Sequence, residues 1–193
     1  GLARAAVPPG GDPRPIHTAL AAEIDEALAE DPGLTLALRA RVELQGSGAR
    51  EAARLATERN PGDVRAWLWL ADALADEGDA EERLSALRRA SAAAPGNPAV
   101  LDALARELVR RGELPEALAL ARQAIGTAPW SPAFMETWSA ALEASSRCGE
   151  ALAAAERALE LVRDGLPDEQ RAPFRARIAR LRGTCGEPRA ATP

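Results

Sequence analysis

The sequence repeats with a period of 34 residues, and this period constrains the fold more than any other feature of the chain. Asp63, Asn97 and Ser131 lie 34 residues apart, and each is a residue type whose side chain caps the start of a helix. Pro98 and Pro132 follow two of them at the first helical position, where proline is favoured. A fixed period of this length predicts helical units that bury their apolar faces against one another.

Apolar and small residues follow the same period, and the composition favours helices. Alanine, leucine, arginine and glutamate dominate the chain, whereas aromatic residues make up 3% of it. Such a composition predicts an all-α fold. The residues in register are Leu70, Leu104 and Trp138, then Leu74, Leu108 and Leu142, then Ala90, Ala124 and Ala158.

This pattern resembles the tetratricopeptide repeat, a helix–turn–helix unit of about 34 residues. The units 64–97 and 98–131 fit the family pattern well, and 132–165 has Ser146 in place of the turn glycine and Arg163 in place of the proline. The resemblance implies a right-handed α-solenoid with a C-terminal capping helix. The matching residues are Trp67, Leu70, Ala71, Leu74, Gly78, Leu87, Ala90 and Pro95, then Leu101, Leu104, Ala105, Leu108, Gly112, Ala117, Ala124 and Pro129, then Met135, Trp138, Ser139, Leu142, Ala151 and Ala158.

We expect a single solenoid over residues 16–185, between a flexible Pro/Gly-rich linker at 1–15 and a flexible tail at 186–193. Since the chain begins at Gly1, we also expect further sequence upstream. The predicted parts are a terminal helix at 16–33, a degenerate repeat at 34–63, repeats at 64–97, 98–131 and 132–165, and the capping helix at 166–183.

In the family, the first helices of successive repeats line a concave groove that binds partners. The resemblance places Arg65, Leu68, Asp72, Asp76, Asp102, Arg106, Val109, Arg110, Glu136 and Glu143 in this groove. The groove would be acidic in 64–97, basic in 98–131 and acidic again in 132–165. Two interpretations remain open: either a peptide of mixed charge and small apolar side chains binds there, or the groove residues pair with one another across repeats. The lysine and asparagine set that grips a C-terminal carboxylate in chaperone-binding members is absent.

Five arginines crowd the last predicted helix: Arg171, Arg175, Arg177, Arg180 and Arg182. One interpretation is the solvated outer face of a cap. The other is a contact with an acidic partner or with the acidic unit 132–165.

The sequence offers no chemistry of its own. All 24 basic residues are arginine, there is no tyrosine, and His17 is the only histidine. No metalloprotease, CxxC or phosphate-loop motif is present. We therefore predict no catalytic residues, no cofactor and no metal site. A net charge of −5 argues against nucleic acid as a partner, and no apolar run is long enough to span a membrane.

The two cysteines, Cys148 and Cys185, are expected at the same edge of neighbouring helical layers. Adjacent layers lie about 10 Å apart, and a disulfide needs Cα atoms within about 7 Å. A disulfide and two free thiols are therefore both open. A disulfide would place the chain in an oxidising compartment, and we favour a periplasmic or other extracytoplasmic location over the cytoplasm.

Two functional hypotheses follow. The first is a non-catalytic scaffold that binds a peptide or protein segment, as in the extracytoplasmic assembly factors that bacterial lipoproteins of this family resemble. The second is a recruitment region excised from a larger enzyme or secretion component. A homo-oligomer that forms through the exposed ends of the solenoid is a further prediction.

Overall fold

A computed structural model describes residues 14–31, 35–43, 48–75, 79–162 and 167–185. These residues form helices joined by turns and include no strand. Contacts between Cα atoms divide the chain into two compact units, 1–93 and 94–193. The first holds α1 (Arg14–Glu30), α2 (Thr35–Glu43), α3 (Ala49–Arg59), α4 (Val64–Ala73) and α5 (Ala80–Ala93). The second holds α6 (Pro98–Arg111), α7 (Leu114–Thr127), α8 (Pro132–Ala144), α9 (Cys148–Leu161) and α10 (Asp168–Cys185).

In the first unit, each helix packs against the next one along the chain, from α1 to α5. Arg54 of α3 donates two hydrogen bonds to the carboxylate of Glu82 in α5, at 2.9 and 2.7 Å. Trp67 of α4 donates its indole N–H to the carbonyl of Pro61 at 2.8 Å, and the Arg89 guanidinium lies 5.4 Å from its ring centroid. The tryptophan thus links three segments of this unit.

In the second unit, α6 packs against α7 and α8, α8 packs against α7 and α9, and α9 packs against α10. Leu142 of α8 and Leu181 of α10 are fully buried, and Ile178 joins them in one apolar cluster with three alanines of α9. Small residues allow this close approach. The alanine stripe of α9, at Ala151, Ala155 and Ala158, is at most 2% exposed.

The three predicted helix caps are confirmed. Asp63 accepts a hydrogen bond from the Arg65 amide, Asn97 from the Ala99 and Val100 amides, and Ser131 from the Phe134 amide. The prolines after Asn97 and Ser131 occupy the first turn of α6 and α8. The period in the sequence therefore marks real helix starts.

The turns between paired helices show how the repeat 132–165 tolerates the absence of the turn glycine. Gly112 ends α6 in the left-handed region at φ 76°, as predicted for a C-terminal cap. Ser146, at the same repeat position after α8, adopts φ 61° and is the only non-glycine residue with positive φ in the described chain. Serine thus holds a conformation that favours glycine. Gly78, the other predicted turn glycine, lies outside the described residues.

The predicted fold class is confirmed: the protein is an all-α chain of the helical-repeat solenoid class. The last helix runs from Asp168 to Cys185 and packs on α9, as a cap does. The assignment of residues 16–185 to one solenoid stays a prediction, and the linker at 1–15 and the tail at 186–193 fall almost wholly outside the described residues.

Candidate partner-binding surface

On α6, the predicted groove residues Asp102 and Arg106 form an ion pair one helical turn apart. The Nη2 atom of Arg106 donates to the Asp102 carboxylate at 2.6 Å. Asp102 is buried, and its second oxygen, Oδ1, has no hydrogen-bond partner. The Arg106 side chain remains 56% exposed. A buried acid therefore anchors an arginine whose side chain is more than half exposed.

The second basic groove residue, Arg110, is held in the same way. Its Nε and Nη2 atoms donate to Glu107 at 3.2 and 2.5 Å. Glu107 is buried, whereas Arg110 is about half exposed. Glu107 is not among the predicted groove residues. Its position three residues before Arg110 on the same helix nevertheless indicates that the two side chains can pair. The half-buried Val109 lies between the two arginines in the sequence.

One of the two open interpretations was that acidic and basic groove residues pair across repeats. On α6, Arg106 and Arg110 pair instead with acidic residues of their own helix. The reason is that residues three and four apart on a helix are already neighbours. The positive charges of Arg106 and Arg110 are thus partly neutralised by the buried carboxylates of Asp102 and Glu107.

On α8, Glu136 is half-buried and forms no hydrogen bond or ion pair with the described residues. Burial raises the pKa of Glu136, and the charge of Arg177 only partly opposes this shift. Glu136 follows Asp102 by one repeat of 34 residues, and their helices pack together. The carboxyl group of Glu136 therefore remains available to a partner.

Glu143, the other acidic groove residue of α8, is engaged by the capping helix. It accepts hydrogen bonds from Arg177 at 3.0 Å and from both terminal nitrogens of Arg180. This bonding raises the pKa of Arg180. Arg177 also donates to Ser139, whose hydroxyl donates to the Ala151 carbonyl at 2.8 Å. Of the two acidic groove residues on α8, Glu143 is therefore already paired with arginines of α10.

These contacts decide between the two interpretations of the arginine-rich last helix. Arg177, Arg180 and Arg182 bind acidic side chains of residues 132–165, the last of them through Glu156 at 2.6 Å. The contact with the acidic unit is therefore confirmed for these three. Arg175 instead pairs with Asp168 of its own helix.

The predicted groove residues of the first unit all lie on or after α4. Arg65 is exposed and lies 3.5 Å from the Asp63 carboxylate. Leu68 is half-buried, and Asp72 is exposed. Asp76 lies outside the described residues. The ion pair of this set joins Arg65 to Asp63, the helix cap, and not to another predicted groove residue.

Cys148, at the start of α9, is disulfide-bonded. The side chain of Cys185, the chain's other cysteine, lies outside the described part of the structure. The pairing of Cys148 with Cys185 therefore stays a prediction.

Within the described ranges, no group of three or more His, Cys, Asp or Glu side chains is placed to hold a metal ion. None of the helices described is long and apolar enough to cross a bilayer. The charged surface on α6 and α8 is thus the most developed candidate site.

Residues 64–107 match the family model for the tetratricopeptide repeat. No curated protein matches the chain. Among solved structures, the chain is similar to TTC0263, a thermophilic TPR protein of Thermus thermophilus. This match has a TM-score of 0.68 and 23% identity, over 86% of this chain and 90% of that one.

Two further solved structures have the same fold. YrrB, a TPR protein with an unusual peptide-binding site, matches with a TM-score of 0.61 and 16% identity over 78% of this chain and 80% of its own. The Cut9–Hcn1 hetero-tetramer of the APC/C matches with a TM-score of 0.73 and 16% identity, over 88% of this chain and 34% of that chain.

Proposed function

We propose that the chain, whose residues 64–107 match the tetratricopeptide-repeat model, is a non-catalytic scaffold of this family that binds a peptide or protein segment. The binding surface is the face of α6 and α8 that carries Arg106, Arg110 and Glu136. Arg65, Leu68, Asp72 and Asp76 are the proposed groove positions of the first unit. The similarity to YrrB, a repeat protein with a peptide-binding site, supports this class of partner.

One observation carries the proposal: the buried acids Asp102 and Glu107 hold two exposed arginines in fixed positions on α6. Buried carboxylates are costly unless they are paired, so Arg106 and Arg110 are kept in place. A guanidinium has five N–H donors, and each arginine spends only one or two of them on its acid. The remaining donors are oriented before a partner arrives, which lowers the entropic cost of binding.

The partner proposed for this surface is a segment of mixed charge. Its carboxylates or carbonyls accept from Arg106 and Arg110, and a basic group pairs with Glu136. Alanines at the neighbouring groove positions Ala99 and Ala133 are exposed and leave room for a chain. Nucleic acid does not fit, because the chain carries a net charge of −5.

We place this scaffold outside the cytoplasm, as an assembly factor in a periplasmic or similar space. The disulfide at Cys148 supports an oxidising compartment.

Affinity purification from extracts of the source organism tests the proposal. Proteins retained by the wild type are compared by mass spectrometry with those retained by Arg106→Lys, Arg110→Lys and the matched control Arg122→Lys, an exposed arginine on α7. Lysine keeps the charge but loses the planar fork of donors. The proposal predicts specific proteins that the two groove variants lose and the control keeps.

A fourth variant distinguishes a blocked surface from a misfolded protein. Ala133→Arg adds bulk at an exposed position of α8 and removes no contact, so the fold is preserved while the surface is blocked. Retention of the same proteins by all four variants would contradict the proposal.

A further inference from the structure

The second unit ends in an open groove between α9 and α10. Its volume is about 660 Å³. The floor is formed by Leu159, Ile178 and Ala179. The rim is charged and consists of Glu156, Glu160, Arg171, Arg175 and Arg182. We call these eight residues the end groove. It is separate from the surface on α6 and α8.

The packing order of the unit shows what kind of element fits the end groove. α9 lies against α8 and covers its face, where Ala141 and Leu142 are fully buried. α10 lies against α9 much as α8 lies against α7. In the described part of the chain, no helix covers α10 as α9 covers α8. Ala179, on the end-groove side of α10, is exposed.

Two helices of the same unit, α7 and α9, cover the preceding helix, and their sequences follow the same pattern. α7 and α9 each have 14 residues. Their buried stripes consist of small side chains at i, i+4 and i+7, and each helix carries a glutamate in its first turn. The stripes are Ala117, Ala121 and Ala124 in α7, and Ala151, Ala155 and Ala158 in α9, where Ala154 is buried as well; the glutamates are Glu116 and Glu150.

The rim of the end groove offers hydrogen-bond donors rather than acceptors. Glu156 already accepts from Arg182 at 2.6 Å, and Glu160 accepts from Arg157 at 2.8 Å. Arg182 and Arg175 are 64% and 52% exposed, and their ion pairs, the latter with Asp168, each engage one nitrogen. A guanidinium carries five N–H donors. The remaining N–H donors of Arg175 and Arg182 can therefore bind the carboxylates of a partner.

We propose that the end groove is a second interaction surface, which binds an amphipathic helix of a partner protein through an alanine- and leucine-rich stripe flanked by glutamates. The stripe packs on the half-buried Leu159 and the exposed Ala179, and the glutamates accept hydrogen bonds from Arg175 and Arg182. This mode of recognition buries the apolar face of a helix in a groove and reads its flanking charges.

Fluorescence anisotropy with two synthetic peptides tests the proposal. Both are capped, fluorescein-labelled helices of the same length as α7 and α9, 14 residues, with the same alanine and leucine stripe, one flanked by glutamates and the other by lysines. The glutamate peptide is expected to bind, to bind more weakly as salt is raised, and to outcompete the lysine peptide. Equal binding of the two peptides, or binding of neither, would overturn the proposal.

Three variants locate the binding. Arg175→Ala with Arg182→Ala is expected to weaken the glutamate peptide by about 2- to 10-fold, the effect of losing two exposed ion pairs. Ala179→Glu places a like charge on the exposed floor of the groove and is expected to weaken it at least as much. The control Arg122→Ala, on α7, should bind as the wild type does. Unchanged binding by the groove variants would refute the assignment.

Two other occupants are distinguished by the same proteins. Self-association that Ala179→Glu abolishes, without peptide binding, would show that a second copy of this chain fills the groove. Peptide binding only after deletion of residues 186–193 would show that the chain's own C-terminal segment fills it. Either result would overturn the proposal. The surface on α6 and α8 is tested with other variants, so the two proposals fail independently.

Discussion

At the residue scale, Ser146 shows how a repeat keeps its shape with an unfavourable residue. It takes the left-handed conformation of Gly112 at the equivalent turn. Left-handed backbone costs a non-glycine residue about 1–2 kcal/mol, and the packing of α8 and α9 on each side imposes it. The turn is thus set by the helices that it joins.

We expect Ser146→Gly to stabilise the protein by about 0.5–1 kcal/mol, because glycine adopts this conformation without strain but loses more backbone entropy on folding. Gly112→Ala, where an added Cβ meets nothing within 4 Å, should destabilise by about 1 kcal/mol through backbone strain alone. Urea unfolding of both variants measures the two effects. A loss of stability in Ser146→Gly would contradict this account.

Glu136 gives a prediction that depends on pH. Burial raises its pKa in the folded chain. Its contribution to stability is therefore full at low pH and is lost as the pH rises through the raised pKa. Glu136→Gln, which is neutral at every pH, should be more stable than the wild type at about pH 7. This gain should vanish below about pH 4, where the wild-type glutamate is protonated as well.

Urea unfolding at both pH values measures this difference. Glu116→Gln, an exposed glutamate on α7, is the control and should change little at either pH. A gain for Glu136→Gln that is equal at neutral and at acidic pH would rule out burial of the charge as its cause.

At the element scale, α10 is held to the second unit by polar contacts as well as by its apolar face. Glu143 accepts from two arginines of α10, one of which also reaches Ser139. Ile178 and Leu181 supply the apolar part of the contact. A helix rich in arginine can therefore pack as a cap because acidic side chains stand opposite it.

Glu143→Ala should loosen this cap and destabilise the protein by about 1–3 kcal/mol, the usual effect of removing charge-assisted hydrogen bonds from a partly buried site. Amide hydrogen exchange should rise in α10 first. Glu160→Ala removes an exposed ion pair within α9 and should cost less than about 0.5 kcal/mol. Equal effects of the two substitutions would show that the Glu143 contacts do not hold α10.

The cysteines give a second prediction about α9 and α10. If Cys148 pairs with Cys185, the two ends of a 37-residue interval are joined, and the chain-entropy model gives about 3–4 kcal/mol of stabilisation. Thiol titration of the unfolded, unreduced protein should find no free thiol. Reduction should lower the unfolding temperature of the wild type and leave a Cys148→Ser, Cys185→Ser variant unchanged. Two titratable thiols without reductant would contradict the pairing.

At the scale of the whole molecule, the sequence predicts what is local and repeated. The helix starts at Asp63, Asn97 and Ser131 are correct because a cap depends on residues two and three positions away. The all-α class and the helical-repeat fold follow from the period. These features need no knowledge of how distant side chains meet.

The details of the site could not be predicted in the same way. The burial of Asp102 and Glu107 depends on what packs over α6, so their role in anchoring Arg106 and Arg110 is visible only in the structure. Likewise, the sequence marked Glu143 as a groove residue without showing that α10 engages it. Charge patterns give candidates, and tertiary packing decides which of them remain available.

Photocrosslinking tests the central claim most directly. A benzoylphenylalanine is placed at Ala99 or Ala133, exposed positions beside the charged residues of α6 and α8, or at the control Ala119, an exposed position on α7. Each protein is irradiated in extracts of the source organism. We predict covalent adducts with a discrete protein from Ala99 and Ala133, lost when Arg106→Lys is added, and none from Ala119. Adducts of equal yield from Ala119, or adducts that Arg106→Lys leaves unchanged, would contradict the proposed binding surface.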